Sequence, residues 1–443
     1  MARSTDQRPA TVPFAATPAG QPPPVTEWAN RHVWTDRMLT ALAQGVRGGR
    51  WHTLSDKVYQ PMNLLLASCR VLLNEGVAGV DHQTVEQFED KHSEELRRLE
   101  EDLRADTYRP HAVKRVWIPK PGSTEKRPLG IPTVRDRVVQ TALLHVLEPI
   151  FDVTFSEYSY GFRHGRGCHH ALERVEAMLN EGRVYVVDAD LKSYFDTIPK
   201  DKLMDRVYEK VSDSRVRRWL RMFLDQGVMD GLKEWTPETG TPQGAVISPL
   251  VANIYLNPLD HLVAEAGFAM VRYADDFVIL CRTREDADRV LALVRRWVED
   301  HGLTLHPTKT KIVDARTEGF DFLGYTFRGR YRQPRKKSLV KLKDTIRANT
   351  HRANGHSLTT IVKSLNATLH GWFGYFRHCF WNVYTDLDGW IRMRLRSILR
   401  KRAGRRGRGR GADNQRYRNH YFTDHGLFSL HAAHGRLSQS LTG

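Results

Sequence analysis

Three carboxylates stand at the ends of short apolar runs, and this arrangement constrains the fold more than any other feature of the chain. Residues 184–187 lead to Asp190, while Asp275 and Asp276 lie between two further apolar runs. Two such runs joined by a short polar turn predict a β-hairpin whose tip presents the acids. Nucleotidyl transfer needs divalent cations held by acidic oxygens from separate strands. The pattern therefore predicts a magnesium-dependent site at strand ends.

Each acid also has an ordinary structural interpretation. A turn that contains two Asp residues is commonly a solvated turn, and an Asp at a strand end is commonly a cap. The combination favours catalysis because the acids recur 85 residues apart, with a glycine-containing loop at residues 240–244 between them. We expect Asp190 and Asp275 to bridge two Mg²⁺ ions, with Asp276 as a weaker third ligand.

The order of the predicted elements indicates an α+β fold with helices on one face of a sheet. In chain order they are helices within residues 31–104, a hairpin at 113–132, a helix at 135–150, the strand before Asp190, helical residues 202–223, a helix ending at 256, the acid hairpin, a strand pair at 320–325 and helices after 335. Ser357 is expected to cap one of the last helices.

Composition limits the setting in which the chain works. A chain of 443 residues is long enough for two or three domains. No run approaches the roughly 20 apolar residues of a membrane-spanning helix, so no membrane role is expected. Four cysteines without a close pair argue against a zinc knuckle or a disulfide framework and favour a cytoplasmic location. The Pro- and Ala-rich residues 1–30 are predicted to be a disordered tail.

Positive charge is concentrated in the C-terminal quarter. Residues 328–443 contain 25 Lys and Arg against five Asp and Glu, in a chain whose net charge is +17. Such a block is typical of nucleic-acid binding, although a solvated tail is the alternative. Residues expected to meet phosphates follow one helix face and then a glycine-interleaved tract: Arg392, Arg396, Arg400, Lys401, Arg402, Arg405, Arg406, Arg408 and Arg410.

Nucleotide-binding candidates lie close to these elements. Phe195 follows Asp190 by five residues, where a ring beneath the sugar would collide with a 2′ hydroxyl; an ordinary core aromatic is the alternative. Lys120 and Arg127 near the ends of the first hairpin are candidates for the triphosphate, since both side chains bind phosphate oxygens. Exposed hairpin charges are the alternative for these two.

The motifs together resemble bacterial group II intron reverse transcriptases, over about residue 50 to the C-terminus. They are residues 159–163 (SYGFR), Asp190-x4-Phe195-Asp196, residues 242–244 (PQG), residues 273–276 (YADD), residues 302–305 (GLTL), residues 309–311 (KTK), residues 322–324 (FLG) and the run from Leu365 to Phe376. The motif order is highly specific, whereas YADD alone is only moderately so.

The resemblance implies a right-hand polymerase of α+β class, with fingers, palm and thumb. It implies RNA-directed DNA synthesis from deoxynucleoside triphosphates, and partnership with the chain's own intron RNA and a target DNA. By position, Asp190, Asp275 and Asp276 are the metal-binding acids, Phe195 the sugar gate, Gln243 a neighbour of the nascent base pair and Lys309 a general acid for the leaving pyrophosphate. Lys120 and Arg127 contact the triphosphate.

The domains expected from this reading are a tail at 1–30, a helical extension of the fingers at 31–110, fingers and palm at 111–335, a thumb and maturase region at 336–402 and a basic segment at 403–443. No paired Cys and His of an endonuclease domain are found, so the compact class C branch is expected. Two other functions stay open: an RNA-binding splicing cofactor with a dispensable polymerase, and a defence- or diversity-associated reverse transcriptase without an intron.

Overall fold

The computed structural model describes residues 23–440, except residues 47, 120–125, 232, 330 and 408–410. Lys120, Arg408, Arg410 and most of the predicted tail lie outside the described residues. Across the described ranges, none of the helices combines the length and apolar composition that a bilayer crossing requires.

Helices make up most of the regular structure. They are α1 Val25–Trp28, α2 Asp36–Gln44, α3 Ser55–Val58, α4 Pro61–Leu73, α5 Val85–Asp90, α6 His92–Ala105, α7 Val134–Asp152, α8 Cys168–Asn180, α9 Tyr194–Thr197, α10 Lys200–Tyr208, α11 Ser214–Leu224, α12 Ser248–Glu265, α13 Arg284–Asp300, α14 Lys336–Asn349, α15 Leu358–Phe376, α16 Trp381–Arg402, α17 Ala412–Arg416, α18 Asn419–Asp424 and α19 Leu430–Ser440.

Strands fall into three sheets. They are β1 Val113–Pro119, β2 Lys126–Ile131, β3 Tyr185–Asp190, β4 Val228–Asp230, β5 Lys233–Trp235, β6 Ala269–Tyr273, β7 Asp276–Cys281, β8 Lys311–Asp314, β9 Phe320–Phe322, β10 Tyr325–Arg328 and β11 Tyr331–Pro334. The sheet orders are β2-β1-β4-β5, β6-β7-β3-β8 and β11-β10-β9.

The chain forms two compact units. The first comprises Met1–Arg174, Ala189–Phe277 and Arg289–Thr310, and the second comprises Val175–Asp188, Val278–Asp288 and Lys311–Gly443. The chain passes repeatedly from one unit to the other, and the five domains expected from the sequence stay predictions.

In the first unit, α7 is the central helix. Most of its side chains are buried, and the indole nitrogen of the fully buried Trp34 donates to the carbonyl of His145 at 3.0 Å. Asn63 in α4 donates to the carbonyl of Ala142 in α7 at 3.2 Å. The predicted hairpin is present as β1 and β2, which pair antiparallel from Lys114 and Ile131 onwards.

In the second unit, a three-stranded sheet packs on the long helices. Tyr325, fully buried at the start of β10, donates its hydroxyl to the carbonyl of Tyr375 in α15 at 2.5 Å, and the Tyr375 hydroxyl donates to the carbonyl of Leu323 at 2.8 Å. Ser357 accepts from the amide of Thr360 at 3.1 Å, which confirms it as the N-cap of α15.

The C-terminal residues belong to this second unit instead of forming a separate segment. Asp388 of α16, 4% exposed, accepts from the amide of Leu430 at 3.1 Å and from the hydroxyl of Ser429 at 2.6 Å. Asn366 of α15 accepts from the amide of Phe428 at 2.9 Å. Residues after 403 therefore pack against α15 and α16, and the domain boundary at 403 stays a prediction.

Candidate active site

The backbone around Asp190 is held at the end of β3. His306 donates its amide to the Asp190 carbonyl at 2.7 Å, and Lys192 donates to the Thr304 carbonyl at 2.9 Å. These bonds flank an antiparallel bridge between Leu191 and Leu305. The carboxylate of Asp190 is 28% exposed, so it can meet a ligand from solvent.

Asp275 lies in a two-residue turn between β6 and β7. Ala274 precedes it with a φ of 60°, a left-handed conformation that costs free energy in a residue with a Cβ. The turn is supported from beneath by Arg272, which is fully buried and donates from Nη1 to the Ala274 carbonyl at 2.9 Å. The tip of the predicted hairpin is therefore confirmed as a braced turn.

Arg272 is held by a buried network. Its Nε and Nη2 atoms donate to the two carboxylate oxygens of Asp260 at 2.7 and 2.6 Å, and Nη1 also donates to Asn253 Oδ1 at 2.8 Å. Asn253 in turn donates to the Gly161 carbonyl at 2.8 Å. Gly161 must be glycine, since a Cβ there would lie 2.3 Å from the backbone nitrogen of Ala274.

Asp190 and Asp275 interact through their charges. Burial raises the pKa of Asp275 above its ordinary value, and the nearby Asp190 carboxylate raises it further, while Arg127 and Arg272 lower it. Asp190 ends β3 and Asp275 directly precedes β7, and these two strands are neighbours in their sheet. Two carboxylates brought together in this way repel each other until a cation neutralises them.

Asp276 is the third acid of the predicted metal site and follows Asp275 directly. Within the ranges that the structure describes, no group of three or more His, Cys, Asp or Glu side chains is placed to hold a metal ion. Asp190 and Asp275 act on each other through their charges, and the role of Asp276 as a weaker third ligand stays a prediction. Asp276 is the first residue of β7, and successive side chains of a strand point to opposite faces.

The pair has the donor chemistry that Mg²⁺ requires. Hard divalent cations bind carboxylate oxygens. The pKa of Asp275 is raised mainly by burial and further by the Asp190 carboxylate, and a bound cation would favour the charged form of both acids. Lys309 supplies positive charge at this place, because its ammonium group lies 2.5 Å from Asp190 Oδ2. The sequence placed Lys309 near the leaving group but did not predict its ion pair with Asp190.

Phe195 lies in the one-turn helix α9, directly after the Asp190 strand. Its side chain is half-buried, and its carbonyl accepts from the amide of Thr241 at 2.7 Å. Gly240 has a φ of 88°, and a Cβ there would lie 2.7 Å from the carbonyl oxygens of Phe195 and Asp196. Glycine thus lets the loop at 240–244 approach the backbone of Phe195 closely.

Gln243 and Arg127 reach the same region. Gln243 donates its side-chain amide to Asp196 Oδ2 at 3.3 Å and accepts the amide of Gly130 on its carbonyl at 2.6 Å. Partial burial raises the pKa of Asp196, whereas Arg115 and Arg127 lower it. Arg127 therefore acts on both Asp196 and Asp275. Arg115 was missed in the sequence, although it lies on the same hairpin as Arg127.

Two family models match the chain. Residues 118–327 match the reverse transcriptase (RNA-dependent DNA polymerase) family, and residues 339–417 match the group II intron maturase-specific domain. Protein YkfC of Escherichia coli strain K12 is 34% identical over 329 residues, covering 64% of this chain and 85% of YkfC. The chain belongs to the group II intron reverse transcriptase family.

Other relatives of this reverse transcriptase match a smaller part of it. The group II intron-encoded protein LtrA of Lactococcus lactis subsp. cremoris is 36% identical over 172 residues, 39% of this chain and 28% of LtrA. A partial Cas6-RT-Cas1–Cas2 complex covers 56% of this chain and 43% of that chain, with 22% identity and a TM-score of 0.37. The family membership confirms the predicted reverse transcriptase fold and the maturase region, whereas the compact class C branch stays a prediction.

Two arginines of the predicted phosphate-binding face are bonded within the maturase region. Arg396 is only 6% exposed, and it donates to the carbonyl of Tyr417 at 2.9 Å and to Asn419 Oδ1 at 2.8 Å. Arg400 lies 2.6 Å from the buried carboxylate of Asp413. These two arginines join α16 to the following segment, because their guanidinium groups are turned towards it.

The remaining basic candidates in this reverse transcriptase differ in exposure. Arg392 is half-buried, and its Nη1 atom lies 3.9 Å from Asp388 Oδ2, so its charge is partly neutralised by an ion pair within the chain. Arg402 is exposed and donates to the carbonyl of Asn354 at 3.3 Å. Three further basic residues are exposed to solvent: Lys401, Arg405 and Arg406. The accessible part of the predicted surface is therefore the end of α16 and the turn after it.

Proposed function

We propose that this protein synthesises DNA on an RNA template by a two-metal mechanism at Asp190 and Asp275. The observation that carries the proposal is that these acids, 85 residues apart in sequence, interact at the ends of neighbouring strands. Phosphoryl transfer leaves little covalent work for protein groups, so positioning and charge neutralisation account for most of the catalysis.

In this proposal Asp190 and Asp275 hold the cations, while Arg272 keeps the turn that carries Asp275 in place. Bound Mg²⁺ would supply charge neutralisation at the phosphates and activation of the primer 3′ hydroxyl. Asp276 is the weaker third ligand in this proposal.

The remaining candidates bind and select the deoxynucleoside triphosphate. Arg127, whose charge already reaches Asp275, binds phosphate oxygens together with Lys120. Phe195 lies beneath the sugar and excludes a 2′ hydroxyl, and Gln243 lies against the nascent base pair. Lys309, beside Asp190, donates a proton to the departing pyrophosphate.

A second function, assistance of intron splicing, is supported by the maturase-specific match and the basic C-terminal quarter. The partner in this proposal is the chain's own group II intron RNA. The complex of protein and RNA copies that RNA into DNA at a target DNA site. This takes place in the cytoplasm, where the complex associates with the nucleoid. Stabilising a folded RNA requires positive charge and shape complementarity but no metal-binding carboxylate. The two functions are therefore separable by mutation.

The test is a double variant, Asp275→Ala with Asp276→Ala, compared with the wild type in two assays. Primer extension on an RNA template with Mg²⁺ should be abolished, because the cations lose a ligand. Splicing of a precursor RNA that contains the intron, measured at the same protein concentration, should remain close to wild type.

A matched control removes two exposed acids at the start of α13, Glu285→Ala with Asp288→Ala, and should leave both assays unchanged. Full primer extension by the Asp275 and Asp276 variant would refute the polymerase site. An equal loss of extension and splicing in a variant that melts like the wild type would refute the separation of the two functions.

A further inference from the structure

An arginine-rich cavity lies on the first unit, lined by parts of α10, α11 and the residues just before β1 and β4. Its volume is about 650 Å³. Four arginines line it, Arg109, Arg217, Arg218 and Arg221, against a single lining acid, Asp225. Neither the proposed polymerase site nor the maturase region uses any of these residues.

The sequence of α11 explains why the arginines gather on one side. Trp219, Leu220, Phe223 and Leu224 are buried, so the helix packs through one apolar face. Residues at helical spacing on the opposite face remain accessible, and Arg217 and Arg221 are one turn apart there. The cavity wall is therefore a row of guanidinium groups fixed to a rigid helix.

Two of the four arginines have no acidic partner. The guanidinium group of Arg217 lies over the ring of Tyr208 at 4.6 Å and makes no hydrogen bond or ion pair with any residue that the structure describes. Arg109 donates to the carbonyls of Tyr108 and Asp106, at 2.7 and 3.1 Å, which leaves its charge uncompensated.

The other two arginines are paired but still exposed. Arg218 forms an ion pair with Asp106, and Arg221 pairs with Asp225 at 2.6 Å and with Asp201. Their side chains remain 48% and 39% exposed, respectively. The cavity thus has free guanidinium donors at Arg217 and an excess of positive charge.

We propose that this cavity binds phosphate groups of an RNA backbone, as a contact site separate from the catalytic carboxylates. Guanidinium groups bind phosphate oxygens through paired N–H donors, and Arg217 is held in place by the Tyr208 ring. The row of arginines runs along one turn of α11, about 6 Å of helix, which suits consecutive phosphates of a strand. The proposal depends on neither polymerase nor splicing activity, because it is tested by binding alone.

The experiment measures how the affinity of the full-length protein for a blunt RNA duplex several turns long depends on KCl concentration. The variant is Arg109→Gln with Arg217→Gln, which removes the two charges that lack acidic partners. Each lost phosphate contact reduces the slope of log K against log salt by about 0.9, so a reduction of about 1 to 2 is expected. Primer extension on a short template should be unchanged.

The matched control removes two exposed, ion-paired arginines elsewhere on the first unit, Arg97→Gln with Arg296→Gln, and should leave the slope unchanged. Arg217→Gln alone serves if the double variant is unstable, and Arg217→Lys should keep most of the slope because it keeps the charge. An unchanged slope in the variants that replace Arg217 by Gln, or an equal reduction in the control, overturns the proposal.

Inorganic phosphate is the second probe, and it distinguishes a backbone from a free phosphate. If the cavity binds an RNA backbone, millimolar phosphate should change the melting temperature of the wild type and of Arg217→Gln by the same amount. A stabilisation by phosphate that is lost in Arg217→Gln, together with an unchanged RNA slope, assigns the cavity to a small phosphate ligand and overturns the backbone proposal.

Discussion

Arg272 links the stability of the first unit to the geometry of its active site. It is fully buried, it forms a bidentate pair with Asp260, and it donates to the Ala274 carbonyl in the turn that carries Asp275. The pair raises the pKa of Arg272 despite burial, so the guanidinium stays charged. A single side chain therefore fixes the turn from below.

Arg272→Lys is expected to fold but to position Asp275 poorly. Lysine keeps the positive charge but lacks the planar guanidinium group. It therefore cannot donate hydrogen bonds to Asp260, Asn253 and the Ala274 carbonyl at the same time. We expect the free energy of unfolding to fall by about 1–3 kcal/mol and kcat for primer extension to fall by about 100-fold. The KM for the deoxynucleoside triphosphate should change little, since no triphosphate contact is removed.

Urea unfolding and steady-state primer extension, both below the melting transition, check this expectation. Arg284→Lys, at an exposed ion pair of α13, is the control and should match the wild type. A variant of Arg272 that is destabilised but retains its full kcat would assign Arg272 a purely structural role.

The sequence predicts single residues where they belong to a recognisable motif. It does not predict contacts between residues that are distant in the chain and meet only in the folded structure. Asp190 and Asp275 follow from the strand pattern. The ion pair of Lys309 with Asp190 joins residues 119 positions apart, and no periodicity indicates it. Arg272 looks like any polar residue of a strand that precedes a turn.

At the scale of elements, the contact between α4 and α7 contains a histidine that is held neutral. His145 lies 2.8 Å from Asn63 Oδ1, and burial, with the charges of Arg70 and His164, lowers the pKa of His145 to about 4. Its ordinary value is 6.5, so the unfolded chain takes up a proton between pH 6.5 and about 4 that the folded chain does not.

The stability contributed by neutral His145 is complete above pH 6.5 and is lost as the pH falls towards about 4. Within that interval His145 should add about 1.4 kcal/mol per pH unit to the slope of unfolding free energy against pH. His145→Gln should remove this contribution, as measured by urea unfolding at several pH values. The exposed His52→Gln serves as control, and an unchanged slope in His145→Gln would contradict the assignment.

Helix α16 separates structural from accessible basic residues. Arg396→Gln should lower the melting temperature of the second unit, because it leaves the Tyr417 carbonyl and Asn419 without their donor. Its salt dependence of RNA binding should equal that of the wild type. The triple variant of Lys401, Arg405 and Arg406 to Gln should show the reverse, with normal melting and a salt slope reduced by about 2 to 3.

Differential scanning calorimetry and RNA titrations at several KCl concentrations measure both quantities. Arg396→Gln thereby provides the stability control for the triple variant. A reduced slope in Arg396→Gln at a temperature where it is folded would restore this residue to the phosphate-binding surface.

The sequence predicted most elements but not all of their ends. Residues 202–223 were expected to be continuously helical, yet α10 ends at Tyr208 and α11 begins after Asp213, whose carboxylate accepts from the amides of Arg215 and Val216. Helix α12 runs past the expected end at residue 256 to Glu265, since its buried side chains continue. Tertiary packing decides where these helices begin and end, and a local sequence pattern carries no information about that packing.

For the whole molecule, the distribution of charge agrees with a division of labour. The basic C-terminal quarter lies in the second unit, while all described candidates of the active site lie in the first. Local composition was enough to locate the basic block. Composition could not show that Arg396 and Arg400 bond to other residues of the chain, because those bonds form only when the segment after α16 folds back onto it.

The central claim is that Asp190 and Asp275 are the main ligands of the catalytic cations, with Asp276 as a weaker third ligand. Titration of Mn²⁺, a stand-in for Mg²⁺ at oxygen ligands, followed by electron paramagnetic resonance in the presence of a deoxynucleoside triphosphate, tests it most directly. Asp190→Asn and Asp275→Asn should each lose most of the protein-dependent Mn²⁺ binding, whereas Asp276→Asn should keep most of it. Binding at wild-type affinity in Asp190→Asn and Asp275→Asn would contradict the account.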